Sequence, residues 1–316
     1  MLLATFNVEN LFTRFRFARG VDPRRATDEG FTAEDLRFRL EDPESKRITG
    51  ELRAALEADV IALQEVEGLD TLKQFRDRYL GGRQAWPHAL VIDGNDQRRI
   101  DVGLLSRFPI VHARSWQHLM ADDGSPVFDR DCLEADVEVP GLGTLTLFVN
   151  HFKSMRAETD DVPGRAATRP RRLRQARTVM DIVRRRFGDD PGDAPFVVLG
   201  DLNDHLEDDA QGRSGILDLV RWDAVVPVVD RLPEAERWTH YFQGHAPSGA
   251  PPAYRQLDHV LPSRRLAALN PEPPRIDRRG QPKRAEAFAG ERLAGVGWHR
   301  PKASDHCPVV LRIDRL

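Results

Sequence analysis

The sequence predicts two β-sheets packed face to face and coated by helices, an α/β or α+β chain, and three observations carry that expectation. Short apolar, β-favouring runs recur at residues 2–8, 60–66, 88–92, 102–106, 133–139, 144–152, 196–202, 257–262 and 308–313. Some alternate apolar with polar positions and others are continuously apolar, the signatures of half-buried and fully buried strands. Helical patterns lie between them. "ITGELRAALEA" at 48–58 leads straight into the run at 60, and residues 171–187 place Leu173, Ala176, Met180, Val183 and Phe187 on one helical stripe.

Three stretches, 14–46, 156–170 and 264–301, crowd Pro, Gly, Arg and Asp and lose periodicity, so they read as loops or insertions. Strand-like runs flank every one of them, which predicts a single domain spanning 1–316 with embellishments. A chain of 316 residues that is 40% hydrophobic can bury a substantial core. Its 47 basic residues face 50 acidic ones, net −3, so no global charge marks a nucleic-acid or membrane binder. Forty-two of the basic residues are arginines, as expected from a GC-rich genome or from selection for phosphate contacts.

Cys132 and Cys307 are too few for a disulfide scaffold or a cysteine metal site, which points to a reducing cytoplasm. "MLLATFNVENLF" lacks the charged start and cleavage site of a signal peptide, and no window has the continuous apolar length of a membrane span. A soluble, cytoplasmic, monomeric protein is therefore expected.

Polar residues gather just beyond the carboxyl ends of the strand-like runs. Asn7 follows "LLATF", Glu65 follows "VIALQ", Asn150 and His151 follow "TLTLFV", and Asp201 and Asn203 follow "FVVLG". Asp258 opens "DHVLP", and Asp305 with His306 precedes "PVVLRI". Singly, each is an ordinary turn former or satisfied structural group. Adjacent strand ends open onto one rim, however, and there the set is complementary. Carboxylate and amide oxygens without thiols suit a hard cation such as Mg²⁺, while two histidines with acidic neighbours supply proton-transfer groups, the requirements of phosphoester hydrolysis.

The ordered motifs "TFNVENLF", "VIALQEVE", "LLSRFPI", "FVNHFKS", "VVLGDLND", "QLDHVL" and "SDHCPVVL", from Asn7 to Val309, resemble the endonuclease/exonuclease/phosphatase superfamily with its deoxyribonuclease I-like fold. The resemblance implies a four-layer α/β sandwich of two packed mixed β-sheets flanked by helices. It also implies a phosphate-ester substrate and Mg²⁺, with Mn²⁺ as a substitute. On that likeness Glu65 is the principal metal ligand, with Asn7 and Asp305 beside it. His306 with its partner Asp258, together with Asp201, forms the group that takes the water proton; Asn203 accompanies Asp201, and His151 stabilises charge or protonates the leaving group. Arg130, Lys153 and Asn150 would contact substrate, and Asp101 would pair with His151.

Nine arginines between 165 and 186 face one acid, Asp181, and read either as a phosphate-backbone ridge or as a solvated helix face. With "NHFKS" and "FNVENLF" they resemble the nuclease-like branch, so a hydrolase of DNA or RNA phosphodiesters is the first expectation. A phosphodiesterase or phosphatase of a small-molecule or lipid-headgroup ester is the alternative, and a catalytically silent binding module on this fold is the third. No exposed aromatic hairpin of the kind a lipid substrate calls for is evident; Trp238, Tyr241 and Phe242 in "RWTHYFQGH" read as core or cleft residues.

Overall fold

A computed structural model describes residues 1–16, 37–40, 42–156, 164–208, 212–244 and 251–316. Arg19, Arg24 and Arg25 of the first insertion lie outside the described residues, as does 157–163 of the second insertion.

The chain begins with β1 (Leu2–Leu11), then β2 (Thr13–Arg16) and β3 (Arg37–Leu40), an antiparallel pair within the first insertion. Next come α1 (Pro43–Ala54), β4 (Val60–Val66), α2 (Leu69–Tyr79), α3 (Gly82–Ala85), β5 (His88–Val91), β6 (Asp101–Ser106) and β7 (Ile110–Arg114). β8 (Cys132–Val139) and β9 (Gly143–His151) precede α4 (Gly164–Phe187), β10 (Phe196–Asp201) and α5 (Leu217–Val220). β11 (His240–Phe242), β12 (Ala253–Arg255), β13 (Asp258–Pro262), α6 (Arg264–Leu269), β14 (Arg275–Ile276) and β15 (Val309–Arg312) complete it.

Two mixed sheets form, ordered β14-β15-β1-β4-β6-β5 and β13-β10-β9-β8-β7. In each, one parallel pair (β1 with β4, β9 with β10) is embedded among antiparallel neighbours. Strand side chains alternate between faces, so each sheet feeds two cores. Leu3, Ala62 and Leu104 of the first sheet meet Leu133, Leu147, Val149, Leu199 and Val260 of the second in the layer between them. The opposite face of the first sheet carries Phe6, Ile61 and Leu63 onto Ile48, Leu52, Leu72 and Phe75 of α1 and α2. The outer face of the second packs Phe148, Phe196 and Val198 on Ala176, Val179 and Val183 of α4. The two packed sheets read from the strand patterns, and the four layers that the family resemblance implies, are thus present. Among the described residues no helix is long and apolar enough to cross a membrane.

Several local expectations need correction. The helix read at 48–58 begins earlier and ends earlier, because Asp42 caps it by accepting from the Ser45 amide (3.3 Å) and Pro43 occupies its first turn. Residues 164–170, read as loop, are the first turns of α4 despite Pro170. A proline inside a helix costs about 3 kcal/mol, and buried ion pairs offset it. Asp204 accepts from Arg165 Nε (2.8 Å) and Arg172 Nε (2.9 Å), while Arg172 also reaches back to the Arg165 carbonyl (2.8 Å). The third insertion contains α6, capped by Ser263 Oγ, and β14, which extends the first sheet. β7 was unread because its residues are largely exposed and carry little apolar signal.

The arginine ridge is also resolved. Seven of the nine side chains are paired with carboxylates: Arg165 and Arg172 with Asp204, Arg171 with Asp129, Arg174 with Asp123, Arg177 with Asp218, Arg184 with Asp181 and Arg186 with Asp136. Arg169 donates to the Arg213 carbonyl and Arg185 lies over the Trp116 ring. The helix therefore presents a largely neutralised surface rather than a row of open cations.

Two buried acids generate predictions. Asp204 → Asn keeps the volume but leaves two buried guanidiniums short of their counter-charge; urea unfolding should read a loss of about 3–5 kcal/mol. Asp131 is buried and accepts from the Trp116 amide (2.8 Å), and burial raises its carboxyl to about 6. A carboxyl raised on folding keeps its proton longer in the folded chain, so its contribution is full below the unfolded pKa and is lost as pH climbs to about 6. The stability of Asp131→Asn relative to the parent should therefore improve on the order of 2 kcal/mol between pH 4 and 6.5, with a flat difference refuting the assignment.

Candidate active site

The site grows out of the core between the sheets. His151, Asp201 and Asp258 are cross-strand neighbours, Asp201 aligned with His151 on one side and Asp258 on the other. They lie two residues beyond Val149 and Leu199 and two before Val260, so the same pleat that buries those three apolar residues turns the polar three onto one face. Asn7 holds the equivalent place on β1, two and four residues beyond Thr5 and Leu3. Polar groups crown an apolar stack where the sheets splay.

β4 alone would send Glu65 the other way, toward α1 and α2, with Ile61 and Leu63. Its left-handed backbone (φ 66°) and a register shift between Gln64 and Val66 form a bulge that redirects it. Its carboxylate accepts from Asn7 Nδ2 (3.3 Å) and from the Asn10 amide (2.9 Å), the latter presented by a β1 bulge at Glu9 and Asn10 (φ 47° and 57°). Buried Lys46 fixes that bulge by donating to the Val8 and Glu9 carbonyls (2.6 and 2.7 Å). Burial pushes the Lys46 amine down to about 8.

Asp201 Oδ2 is the hub. It lies 3.0 Å from Asn7 Nδ2, 3.1 Å from Asn203 Nδ2, 3.5 Å from His151 Nε2 and 3.7 Å from His306 Nε2. The Asn203 amide donates to the other oxygen (2.8 Å). Gly200 permits this approach: with φ 133°, a Cβ there would meet the Asn150 carbonyl oxygen at 2.0 Å. His306 Nδ1 is held by Asp258 Oδ2 (2.8 Å), and its amide by Ser304 Oγ (3.0 Å), which in turn donates to the Asn7 carbonyl (2.7 Å).

These neighbours separate the two imidazoles. Burial disfavours charge on His306, but the carboxylates of Asp258, Asp201 and Asp305 outweigh it and hold its pKa well above the ordinary histidine value. Burial, then the charges of Arg130 and His306, push His151 well below that value. Burial raises the Asp201 carboxyl. One imidazole is held cationic and one neutral across a single carboxylate, the pattern of a site that moves protons.

Of the residues expected at the site, Asn7, Glu65, His151, Asp201, Asn203, Asp258 and His306 come together. Asp305 stands at its border, 4.0 Å from His240 and under the influence of Lys302, which with His306 holds its carboxyl low against the burial that would raise it. Arg130 lies behind His151, paired with Asp96 (2.9 Å) and the Phe152 carbonyl (2.8 Å).

The other three expected residues are placed as follows. Asn150 shares the pleat of Phe148, donates to its carbonyl (2.9 Å) and points toward α4, away from the rim. Asp101 accepts from the Gly94 amide (2.9 Å) and is raised by burial to about 7; the carboxylate beside His151 is that of Asp201 instead. Lys153 is half-buried, its backbone bonded to Gln175 and Arg172 on α4.

Sequence reading missed Glu9, Lys46, Thr239 and His240. Thr239 Oγ1 accepts from the Leu257 and Asp258 amides (3.0 Å each), and its carbonyl accepts from Cys307, which staples β13 to the segment bearing His306. The His240 ring lies 4.6 Å from that of His306, and burial lowers it to about 4. "RWTHYF" showed the aromatic cluster, but nothing local told of its partner at 306.

Similarities to solved structures reinforce the fold. The chain is 17% identical to an endonuclease/exonuclease/phosphatase from Beutenbergia cavernae DSM 12333, covering 99% of this chain and 71% of that one at a TM-score of 0.56. It is 14% identical to the human Nocturnin catalytic domain with bound sulfate, covering 98% and 93% at 0.58. It is 17% identical to D. rerio TDP2 complexed with a single strand DNA product, covering 98% and 97% at 0.55. No curated protein matches its sequence. The model of the endonuclease/exonuclease/phosphatase family matches residues 4–306, nearly the whole of the chain that builds both sheets and the rim, and the protein belongs to that family.

Proposed function

We propose that the protein is a divalent-metal-dependent phosphodiester hydrolase that cleaves nucleic-acid ester bonds by attack of water on phosphorus. The observation that carries the reading is the convergence of His151, His306, Asn7 and Asn203 on one carboxylate oxygen of Asp201. Such a row of donors around a buried acid offsets charge that grows on phosphoryl oxygens in the transition state. Membership of the family and the likeness to TDP2 with its DNA product support the substrate class.

A hard cation fits the donor set. Two carboxylates, Glu65 and Asp201, meet on one neutral amide of Asn7, and among the described residues the buried Asp258 Oδ1 has no hydrogen-bond partner. Asp201, Asp258 and His306 also present ligand atoms within 4.8 Å of one another. The hydrogen bonds that already link His306 to Asp258 favour Glu65 and Asn7, with Asp305 at the border, as the residues that would hold the cation. Mg²⁺ or Mn²⁺ there would polarise a phosphoryl oxygen and offset its negative charge.

The residues divide the remaining work. Asp201, raised by burial, accepts the proton as water forms its bond to phosphorus. His306, kept cationic by Asp258, donates a hydrogen bond to a phosphoryl oxygen, and His151 and Asn203 orient the ester. As the phosphorus–oxygen bond breaks, the departing oxygen takes up a proton from the His306 imidazolium, and Asp201 returns to that ring the proton it took from water. The pairing of the α4 arginines with carboxylates argues against a long backbone-tracking ridge and favours recognition close to the scissile bond.

Bis-p-nitrophenyl phosphate should be cleaved with Mg²⁺ or Mn²⁺ and not after EDTA treatment. His306→Ala and Asp201→Ala should each lower turnover by at least about a hundredfold, the scale of removing an acid–base group. Turnover within a few-fold of the parent in either variant would overturn the assignment. Plasmid, single strands, RNA, sphingomyelin and inositol phosphates incubated in parallel separate nucleic-acid cleavage from small-ester or lipid cleavage.

A further inference from the structure

Beyond Asp305 the rim opens into a cleft of about 680 Å³, within the range of sites that enclose a small organic ligand. One wall is Phe242 of β11, an aromatic side chain left 38% exposed. The other is built from the third insertion and the residue after it, and brings Arg284, His299, Arg300 and Lys302 to the same space. Its cations are not equivalent. Arg300 and Lys302 are bonded to Glu9 (2.8 and 2.9 Å), and Arg300 also to Asp42 (2.9 Å). Arg284 is half-buried against the cleft, and among the described residues its guanidinium has no carboxylate partner. On α4, by contrast, carboxylates were supplied to seven of nine arginines, so an unmatched guanidinium facing a cleft calls for an anion from outside the chain.

We propose that this cleft is a nucleotide subsite. It takes the nucleotide adjoining the scissile phosphodiester, with the base against Phe242 and a second phosphate of that nucleotide on Arg284. An aromatic face supports any base by stacking, and a guanidinium grips phosphate through paired N–H donors. His240 lines the cleft and also packs on His306, which joins the subsite directly to the catalytic rim. The substrate class that follows is a strand end or short oligonucleotide bearing a phosphate one unit from the cleaved bond, rather than a diester with bare organic arms.

This proposal rests on the hydrolase reading, and the test keeps the two apart. Inhibition of bis-p-nitrophenyl phosphate hydrolysis is compared for adenosine 3′,5′-bisphosphate and adenosine 5′-monophosphate in the parent, Arg284→Met and Phe242→Ala. In the parent the bisphosphate should inhibit at least about tenfold more strongly, the scale of one charge-assisted contact. That ratio should collapse toward unity in Arg284→Met and recover in part in Arg284→Lys. In Phe242→Ala both adenosine compounds should weaken together while inorganic pyrophosphate does not. Equal inhibition by the two nucleotides in the parent, or a ratio unchanged in Arg284→Met, overturns the subsite. If the diester is not hydrolysed at all, the catalytic reading falls, and calorimetric binding of the bisphosphate to parent and Arg284→Met chains still decides the subsite by the same ratio.

Discussion

The contact between His151, Asp201 and Asp258, three residues aligned side by side on neighbouring strands, is the constraint on which the architecture of the rim depends. It fixes the site without any loop having to fold precisely, because strand pairing already sets the spacing and the pleat sets the facing. The apolar column below them, Val149, Leu199 and Val260, is the same alignment continued into the core. A one-residue slip of β10 against β9 would turn the acid toward α4 and Phe196 into the layer between the sheets. Packing and chemistry therefore share one register.

The elements outside the two sheets serve that register. Asp204, three residues past Asp201, anchors the chain leaving β10 to the start of α4 through two arginines, so the loop carrying Asn203 is braced from the outer layer. Lys46 braces the β1 bulge from the other outer layer. Thr239 ties the β13 entry to the segment before β15. Each support comes from a part of the chain distant from the side chain it steadies; those of Lys46 and Thr239 end on backbone groups, that of Asp204 on two guanidiniums. The left-handed residues Glu9, Asn10, Glu65 and Asn203 cluster where these supports converge, as strained backbone does when its surroundings over-determine it.

Strand runs were legible because burial on both faces imposes an apolar signal along consecutive residues, and the rim residues were legible because they follow those runs directly. Alternation also governs Asn150: the residue is one step out of phase with His151, and its side chain bonds the Phe148 carbonyl instead of joining the rim cluster. What stayed hidden was whatever depends on a partner far along the chain. The helix start at Gly164 is stabilised by Asp204, the facing of Glu65 by a bulge, and the role of His240 by a ring some sixty residues later. The arginine cluster left two readings open for the same reason, since its balancing carboxylates are mostly spread over other segments.

β1 is inserted between β4 and β15, with Thr5 aligned on Val309, so its partner on one side is made about three hundred residues after it. During synthesis on the ribosome, that edge of β1 must wait uncovered, and the imidazole of His306 reaches its place only with the closing strand. A chain stalled short of β15 would carry most of its core, but its first sheet would stay open along β1 and the rim would lack the imidazole that Asp258 holds.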